Sequence, residues 1–152
     1  MKVLTNTSIF SFFIVIIIMV GCVFTACSVD HLPNTNSTLK SSIDNGVEVV
    51  YFHRTQRCSG CIYAGDMVEY TINTYFADEL ADGELVFITR DVQYDANAEI
   101  VDKYGAYTSS LYMNKVVDGV DNIEEITGIW LLLHKDQEFV DYVKKDIEER
   151  LN

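Results

Sequence analysis

The sequence has few positively charged residues. Its 152 residues include 11 Lys and Arg against 23 Asp and Glu, which gives a formal net charge of -12. A chain this acidic repels phosphate backbones and anionic lipid headgroups within about a Debye length, roughly 8 to 10 Å. We therefore expect no nucleic-acid partner. The 49% hydrophobic and 22% charged residues are ordinary for one globular domain, so neither a disordered nor a fibrous protein is indicated.

Residues 9–26 contain no charged side chain, and Lys2 is the only charge before them. This order is typical of a secretory leader. The run is also close to the roughly 20 residues that span a hydrocarbon core, so an uncleaved anchor is the alternative. We expect residues 1–27 to be a signal peptide or a membrane anchor. Because Lys2 precedes the apolar run, either one places the folded domain on the extracytoplasmic side of the cell membrane.

Two cysteines close this run, Cys22 after Met-Val-Gly and Cys27 after Phe-Thr-Ala. Small residues directly before a cysteine resemble the lipobox of prokaryotic lipoproteins, in which the cysteine becomes the lipidated first residue of the mature chain. The resemblance implies Cys27 as the lipid acceptor, since Ser28 and a polar stretch follow it, with Cys22 as the alternative. A retained transmembrane anchor and simple cleavage remain open.

Residues 28–46 are polar, lack any periodicity and contain Pro33, the only proline of the sequence. This composition predicts a flexible linker that spans roughly 25 Å. Residues 47–152 contain no internal repeat and are predicted to form one domain.

Apolar runs and helical spacings alternate along residues 47–152. Strands are predicted at 47–53, 84–92 and 111–117, with a fourth from Val120, because Asp118-Gly119 is a two-residue hairpin signal. Helices are predicted at 59–80, 96–104, 123–134 and 136–151. A parallel pair joined through helices, with a hairpin added at its edge, is an α/β sandwich: a mixed four-stranded sheet flanked by helices.

The sequence Cys58-Ser59-Gly60-Cys61 lies directly after the first predicted strand and at the start of a long predicted helix. Cysteines three residues apart in a first helical turn bring their Cα atoms to about 5 Å, which suits a disulfide that opens and closes with little backbone movement. The free amides of that turn stabilise a thiolate on the outer cysteine. Cys58 is therefore the expected nucleophile, and Cys61 would resolve the mixed disulfide formed with a partner protein.

Three cationic or titratable residues precede this pair, and we expect all of them to support it. Arg57, Arg54 and His53 add positive charge near the Cys58 sulfur, which favours its thiolate.

The order strand, Cys-x-x-Cys, helix, strand, helix, hairpin and final helix resembles the thioredoxin-like fold over residues 47–152. Residues 103–112 (Lys-Tyr-Gly-Ala-Tyr-Thr-Ser-Ser-Leu-Tyr) resemble the segment that enters the third strand of that family, opposite the active site. Residues 52–58 and 74–80 are also similar to a small prokaryotic thioredoxin-like group, labelled nitrophenyl-compound nitroreductase subunit-like. The resemblance implies thiol-disulfide exchange with partner proteins and no cofactor.

The sequence departs from this family in what it lacks. Members usually carry a cis-proline beside the cysteine pair, but no proline follows Pro33, and Ser109 takes its place. We expect a trans bond there, because a non-proline cis bond costs about 2.5 to 4 kcal/mol. The buried acid of the family's first strand is also missing, with Tyr51 near its position. These departures leave the proton acceptor for Cys61 and the direction of electron flow undetermined.

Metal binding or metal delivery is the alternative function. Cys58, Cys61 and His53 could supply ligands, but a closed zinc site needs four and the sequence has no second cysteine pair, so such a site would be shared across a dimer. A binding module without redox chemistry is a third interpretation, in which replacing Cys58 changes nothing.

From the cysteine pair and the apolar N-terminal run we predict a membrane-tethered thiol-disulfide oxidoreductase. Its partners are protein thiols or disulfides and a membrane-associated redox protein.

Overall fold

The computed structural model describes residues 43–152. Residues 1–27, most of the predicted linker, Cys22 and Cys27 lie outside the described residues, so their predicted roles stay predictions. Within residues 43–152, none of the helices is both long enough and apolar enough to cross a membrane.

The central strand of the sheet is β1, Gly46–His53, which is buried along almost its whole length. On one side β1 pairs in parallel with β2, Leu85–Asp91. On the other side it pairs antiparallel with β3, Ser110–Val117, which pairs antiparallel with β4, Val120–Glu125. The strand order is β2-β1-β3-β4, which confirms the predicted mixed four-stranded sheet.

Helices cover both faces of this sheet. The chain forms α1 at Ser59–Tyr75, α2 at Ala77–Asp82, α3 at Ala98–Tyr104 and α4 at Asp136–Leu151, with short 3₁₀ helices at Asp95–Asn97 and Thr127–Leu131. Alternation along β1 assigns its residues to two cores. Val47, Val49 and Tyr51 pack with α1 and α4, whereas Val50 and Phe52 pack with α3 on the opposite face.

The predicted helix 59–80 is wrong in its continuity, because the chain bends at Phe76 and forms two helices. Phe76 has φ -130° and ψ 31°, outside the helical range, and its side chain is buried in the core beside Ile72. Its N–H still donates to the Ile72 carbonyl at 2.9 Å, so the bend leaves this backbone group satisfied. Burial of the aromatic ring, rather than a helix-breaking residue, sets the end of α1.

The predicted helix 123–134 is wrong. Residues up to Glu125 belong to β4, where Ile123 lies opposite Asn114 of β3, and only Thr127–Leu131 is helical, as a 3₁₀ helix. Apolar residues three apart, at Ile123 and Ile126, imitate helical spacing, but the open edge of β3 recruits this segment by main-chain hydrogen bonding. Trp130, in this 3₁₀ helix, is partly buried and packs against the core on the α1 and α4 side of the sheet.

The hairpin between β3 and β4 has the predicted turn. Asp118 and Gly119 both have positive φ, 52° and 75°, as a two-residue turn of this hand requires. The chain that enters the domain is tied to this turn, because the Gly119 N–H donates to the Asp44 carbonyl at 2.8 Å and the Asp118 N–H donates to Asn45 Oδ1 at 2.9 Å.

Candidate active site

The cysteine pair lies after the loop that connects β1 to α1, at the start of α1. Cys58 is the residue that caps the N-terminus of α1, with φ -75° and ψ 164°, and its carbonyl accepts the first helical bond from the Ile62 N–H at 2.9 Å. Its Sγ accepts a hydrogen bond from the Cys61 N–H at 3.2 Å. Free amides at a helix start favour negative charge, so this position suits a thiolate when the pair is reduced.

Cys58 and Cys61 form a disulfide, with their Cα atoms 5.1 Å apart. This separation agrees with the value of about 5 Å expected from one helical turn. Cys58 is exposed and Cys61 is partly buried. Cys58 is therefore the more accessible of the two residues to an incoming thiolate.

The carbonyl of Cys61 accepts two hydrogen bonds from outside the helix. The Tyr51 hydroxyl on β1 donates to it at 2.6 Å, and Arg57 Nη2 donates to it at 3.0 Å. The Arg57 guanidinium also lies over the Tyr51 ring, with Cζ 5.8 Å from the ring centroid. The Arg57 side chain thus lies against the Cys61 carbonyl and the Tyr51 ring, and its predicted effect on the Cys58 thiolate stays a prediction.

Gly65 makes this arrangement possible. A Cβ at this position would lie 2.5 Å from Arg57 Nη2 and 2.8 Å from Tyr51 Cε1, closer than real Cβ contacts allow. Only glycine therefore lets the guanidinium and the ring pack against α1 at this height. Sequence reasoning missed Gly65, although an unbroken helical pattern that carries a glycine is a signal of close packing.

The Tyr51 hydroxyl is a donor and not a base. Burial raises the pKa of Tyr51 above its ordinary value of 10.0, the Arg57 charge and hydrogen bond lower it, and the Asp66 charge raises it by a smaller effect. At neutral pH the phenol keeps its proton, and its O–H donates a hydrogen bond to the Cys61 carbonyl. Neither of the two side chains on this carbonyl can accept a proton from Cys61.

His53 and Arg54 lie at the upper end of β1. His53 pairs in register with Asp91 of β2, and its Nδ1 lies 3.1 Å from the Arg54 carbonyl, while the Arg54 side chain is exposed. The loop that follows is tied to β2, because the Thr55 hydroxyl donates to Asp91 Oδ2 at 2.7 Å. Hydrogen bonds from the Gln93 N–H and from Thr55, with a smaller effect of the His53 charge, lower the pKa of Asp91 below its ordinary 3.8. This carboxylate fixes the loop before Cys58.

Ser109 is partly buried and immediately precedes β3, whose first residue, Ser110, lies opposite Phe52 of β1. Residues 43–152 contain no cis peptide bond, which confirms the expected trans bond at Ser109. Its predicted supporting role at the cysteine pair stays a prediction.

One apolar side chain, Leu133, lies close to the segment between the two cysteines. Leu133 Cδ1 lies 3.0 Å from the position that a Cβ on Gly60 would occupy. Ile62 and Leu131 are 44% and 81% exposed.

A buried acid does exist in β1, but on the other face of the sheet. Glu48 is 2% exposed and accepts hydrogen bonds from the Tyr104 hydroxyl and from Asn114 Nδ2, each at 2.9 Å. Lys103 Nζ lies 3.7 Å from it. By alternation Glu48 points away from Tyr51 and α1, so it does not replace the missing family acid beneath Cys61. A lone charge inside an apolar strand was the signal in the sequence for this network.

Among residues 43–152, no three His, Cys, Asp or Glu side chains are grouped so that they could hold a metal ion. The alternative of metal binding through Cys58, Cys61 and His53 therefore has no closed ligand set in the part of the chain that the structure describes.

No family model matches this chain, and none of the curated proteins matches it. Several solved structures do match this chain. Thioredoxin O2 from Arabidopsis thaliana in the oxidised state superposes with a TM-score of 0.46 at 16% identity, covering 71% of this chain and 77% of that one. The zinc-bound form of human ERp44 gives a TM-score of 0.48 at 16% identity over 67% of this chain. The first two thioredoxin domains of Naumovozyma dairenensis Eps1p give 0.49 at 18% identity over 84% of this chain.

This chain spans 27% of the human ERp44 chain and 43% of the Eps1p chain. From its own topology the fold is thioredoxin-like: a mixed four-stranded sheet between two helical layers, with a Cys-x-x-Cys disulfide at the start of the helix that follows the central strand. The narrower likeness to the nitrophenyl-compound nitroreductase subunit-like group stays a prediction.

Proposed function

We propose that this chain is a thiol-disulfide oxidoreductase that exchanges disulfides with partner proteins through Cys58 and Cys61. One observation carries the proposal: the two sulfurs are bonded at the N-terminus of α1, with the outer residue exposed and the inner one partly buried. This asymmetry gives the two cysteines different tasks, since the outer residue is the more accessible one to a folded partner.

The exchange takes two steps, and no sulfur is lost or gained. In the reductive direction the Cys58 thiolate attacks a partner disulfide, forms a mixed disulfide and releases one partner thiolate. Cys61 then attacks the Cys58 sulfur, closes the internal disulfide and releases the second partner thiolate. In the oxidative direction the same steps run backwards, and two electrons pass from a partner dithiol to this pair.

A matched set of serine variants tests this function. Cys58→Ser should abolish the reduction of insulin and the repair of scrambled ribonuclease, because the nucleophile is gone. Cys61→Ser should accumulate mixed disulfides with partner proteins, because the resolving thiol is gone. The control is Cys22→Ser with Cys27→Ser, which leaves both active-site sulfurs and should keep the activity. Equal turnover by the wild type and Cys58→Ser would contradict the proposal, and metal analysis of the same samples tests the alternative.

The location of this activity is a second part of the proposal. The uncharged run 9–26 behind Lys2 supports attachment to the cell membrane, with the folded domain on the extracytoplasmic side and a membrane-associated protein as redox partner. Mass spectrometry of the mature N-terminus tests the form of attachment. A lipid on Cys27, with Cys22 as the alternative, and sensitivity to globomycin are expected; an unmodified Met1 would contradict lipidation.

A further inference from the structure

The Arg57 guanidinium is a fixed positive charge beside the inner cysteine. Its Nη2 bonds the Cys61 carbonyl at 3.0 Å, and its Nε is buried without a hydrogen-bond partner among the described residues. Arginine stays protonated in proteins, so this charge does not disappear with pH. The space left by Gly65 and the face of the Tyr51 ring hold it in place.

The anions near this charge do not cancel it. The carboxylate that acts on the Tyr51 hydroxyl is Asp66, which is exposed on α1, and its effect there is smaller than that of Arg57. Glu48 is bonded to Tyr104 and Asn114 on the opposite face of the sheet. Exposed carboxylates are screened by water and salt, whereas a partly buried guanidinium is screened less.

A fixed cation at this position affects one redox state more than the other. The disulfide carries no charge, whereas the reduced pair carries a thiolate, which an adjacent cation stabilises. This effect favours the reduced pair.

Resting on the proposed function, we infer that Arg57 is a positioning residue that biases the cysteine pair toward its dithiol form, so that the chain acts mainly as a donor of disulfides to partner dithiols. A partner thiolate attacks Cys58 Sγ, the internal S–S bond breaks, and Cys61, the residue whose carbonyl the guanidinium bonds, leaves as a thiolate. A second partner thiolate then attacks the partner sulfur of the mixed disulfide and releases Cys58. The partner dithiol loses two electrons, which the Cys58–Cys61 pair gains.

The test is the equilibrium of the pair with reduced and oxidised glutathione. The full-length chain in mild detergent carries Cys22→Ser and Cys27→Ser, so that only the active-site pair reacts. Arg57→Met keeps an apolar stem over Tyr51 and removes the charge. It should shift the equilibrium toward the disulfide by between about threefold and tenfold, the low end of what a neighbouring charge does. Arg57→Lys, which keeps the charge, should restore most of the wild-type value.

Arg90→Gln is the matched control. Arg90 is exposed on β2 and lies opposite Phe52, whose side chain packs on the α3 face, away from α1. Its loss removes the same charge from the molecule, so we expect the equilibrium constant with glutathione to change by less than about twofold. A thiolate absorbance titration supplies a second readout, in which Arg57→Met should titrate at higher pH than the wild type.

The two proposals fail in different ways. If the wild-type pair does not equilibrate with glutathione, the proposed function fails, and this inference fails with it. If the wild-type pair equilibrates but Arg57→Met gives the same constant, only the role of Arg57 is overturned. Should Arg57→Met not fold, Arg57→Gln takes its place under the same criteria. A shift of equal size in Arg90→Gln would also overturn it, since the effect would then be one of net charge.

Discussion

Gly65 is the single residue on which the packing beneath the cysteine pair depends most directly. Gly65→Ala should lower the free energy of unfolding by about 1 to 3 kcal/mol, because the new methyl group meets both the Arg57 guanidinium and the Tyr51 ring. Chemical denaturation measures this. Gly60→Ala in the same helix is the control: its methyl group meets only the end of the Leu133 side chain, and alanine gains helix propensity. Equal effects of the two substitutions would show that the close approach at Gly65 costs nothing.

Glu48 provides a residue-scale prediction on the other face of the sheet. Tyr104→Phe removes a donor from this buried carboxylate and should destabilise the domain by about 1.5 to 3 kcal/mol, the range for a hydrogen bond to a charged group. The same change at Tyr107, which is 84% exposed, should have almost no effect. Thermal unfolding of both variants measures the difference. A loss below about 0.5 kcal/mol for Tyr104→Phe would mean that water or another side chain replaces the hydroxyl.

At the site, the direction of long side chains could not be predicted from the sequence. The spacing of Cys58 and Cys61 fixes their separation, because one helical turn has only one geometry. Arg57 is different: a long side chain next to the pair can extend toward the Cys58 sulfur or fold under the helix. The choice depends on Gly65 and Tyr51, which lie eight and six residues away in the chain, and spacing alone does not show that they meet it.

At the scale of elements, local patterns succeeded where one face of an element dominates its energetics. The bounds of α4 were predicted correctly, since Phe139, Val143 and Ile147 repeat every four residues and all three are buried. The strand from Val120 was predicted, but its last residues, 123–125, were assigned to a helix, because hydrogen bonding to the edge of β3 sets where β4 ends. The prediction also failed at Phe76, where a tertiary contact ends α1 without a glycine or proline.

The turn between β3 and β4 gives an element-scale prediction. Gly119→Ala should destabilise the domain by about 1 kcal/mol, because alanine resists the positive φ that this turn requires. Asp118→Asn is the matched control at the neighbouring position, where asparagine tolerates the same conformation and no loss is expected. Denaturant titration of both variants checks this. Equal stability of Gly119→Ala and the wild type would indicate that the turn changes its conformation freely.

At the scale of the whole molecule, charge is the dominant feature. With a net charge of -12, repulsion among carboxylates opposes the compact state. The midpoint of thermal unfolding should therefore rise as sodium chloride increases from about 10 to about 150 mM, over which the Debye length falls from roughly 30 to 8 Å. A midpoint that falls with salt would mean that ion pairs such as Lys103 with Asp121 outweigh this repulsion.

The length of β1 also sets the distance between the point where the chain enters the domain and the disulfide. The chain enters the domain at the turn between β3 and β4, and the disulfide follows the opposite end of the eight-residue strand. At about 3.3 Å per residue the two points are separated by roughly 25 Å. If the chain is attached through residue 43, the attachment point and the disulfide therefore lie at opposite ends of the sheet. The length of the sheet then separates a large partner protein from the attachment point.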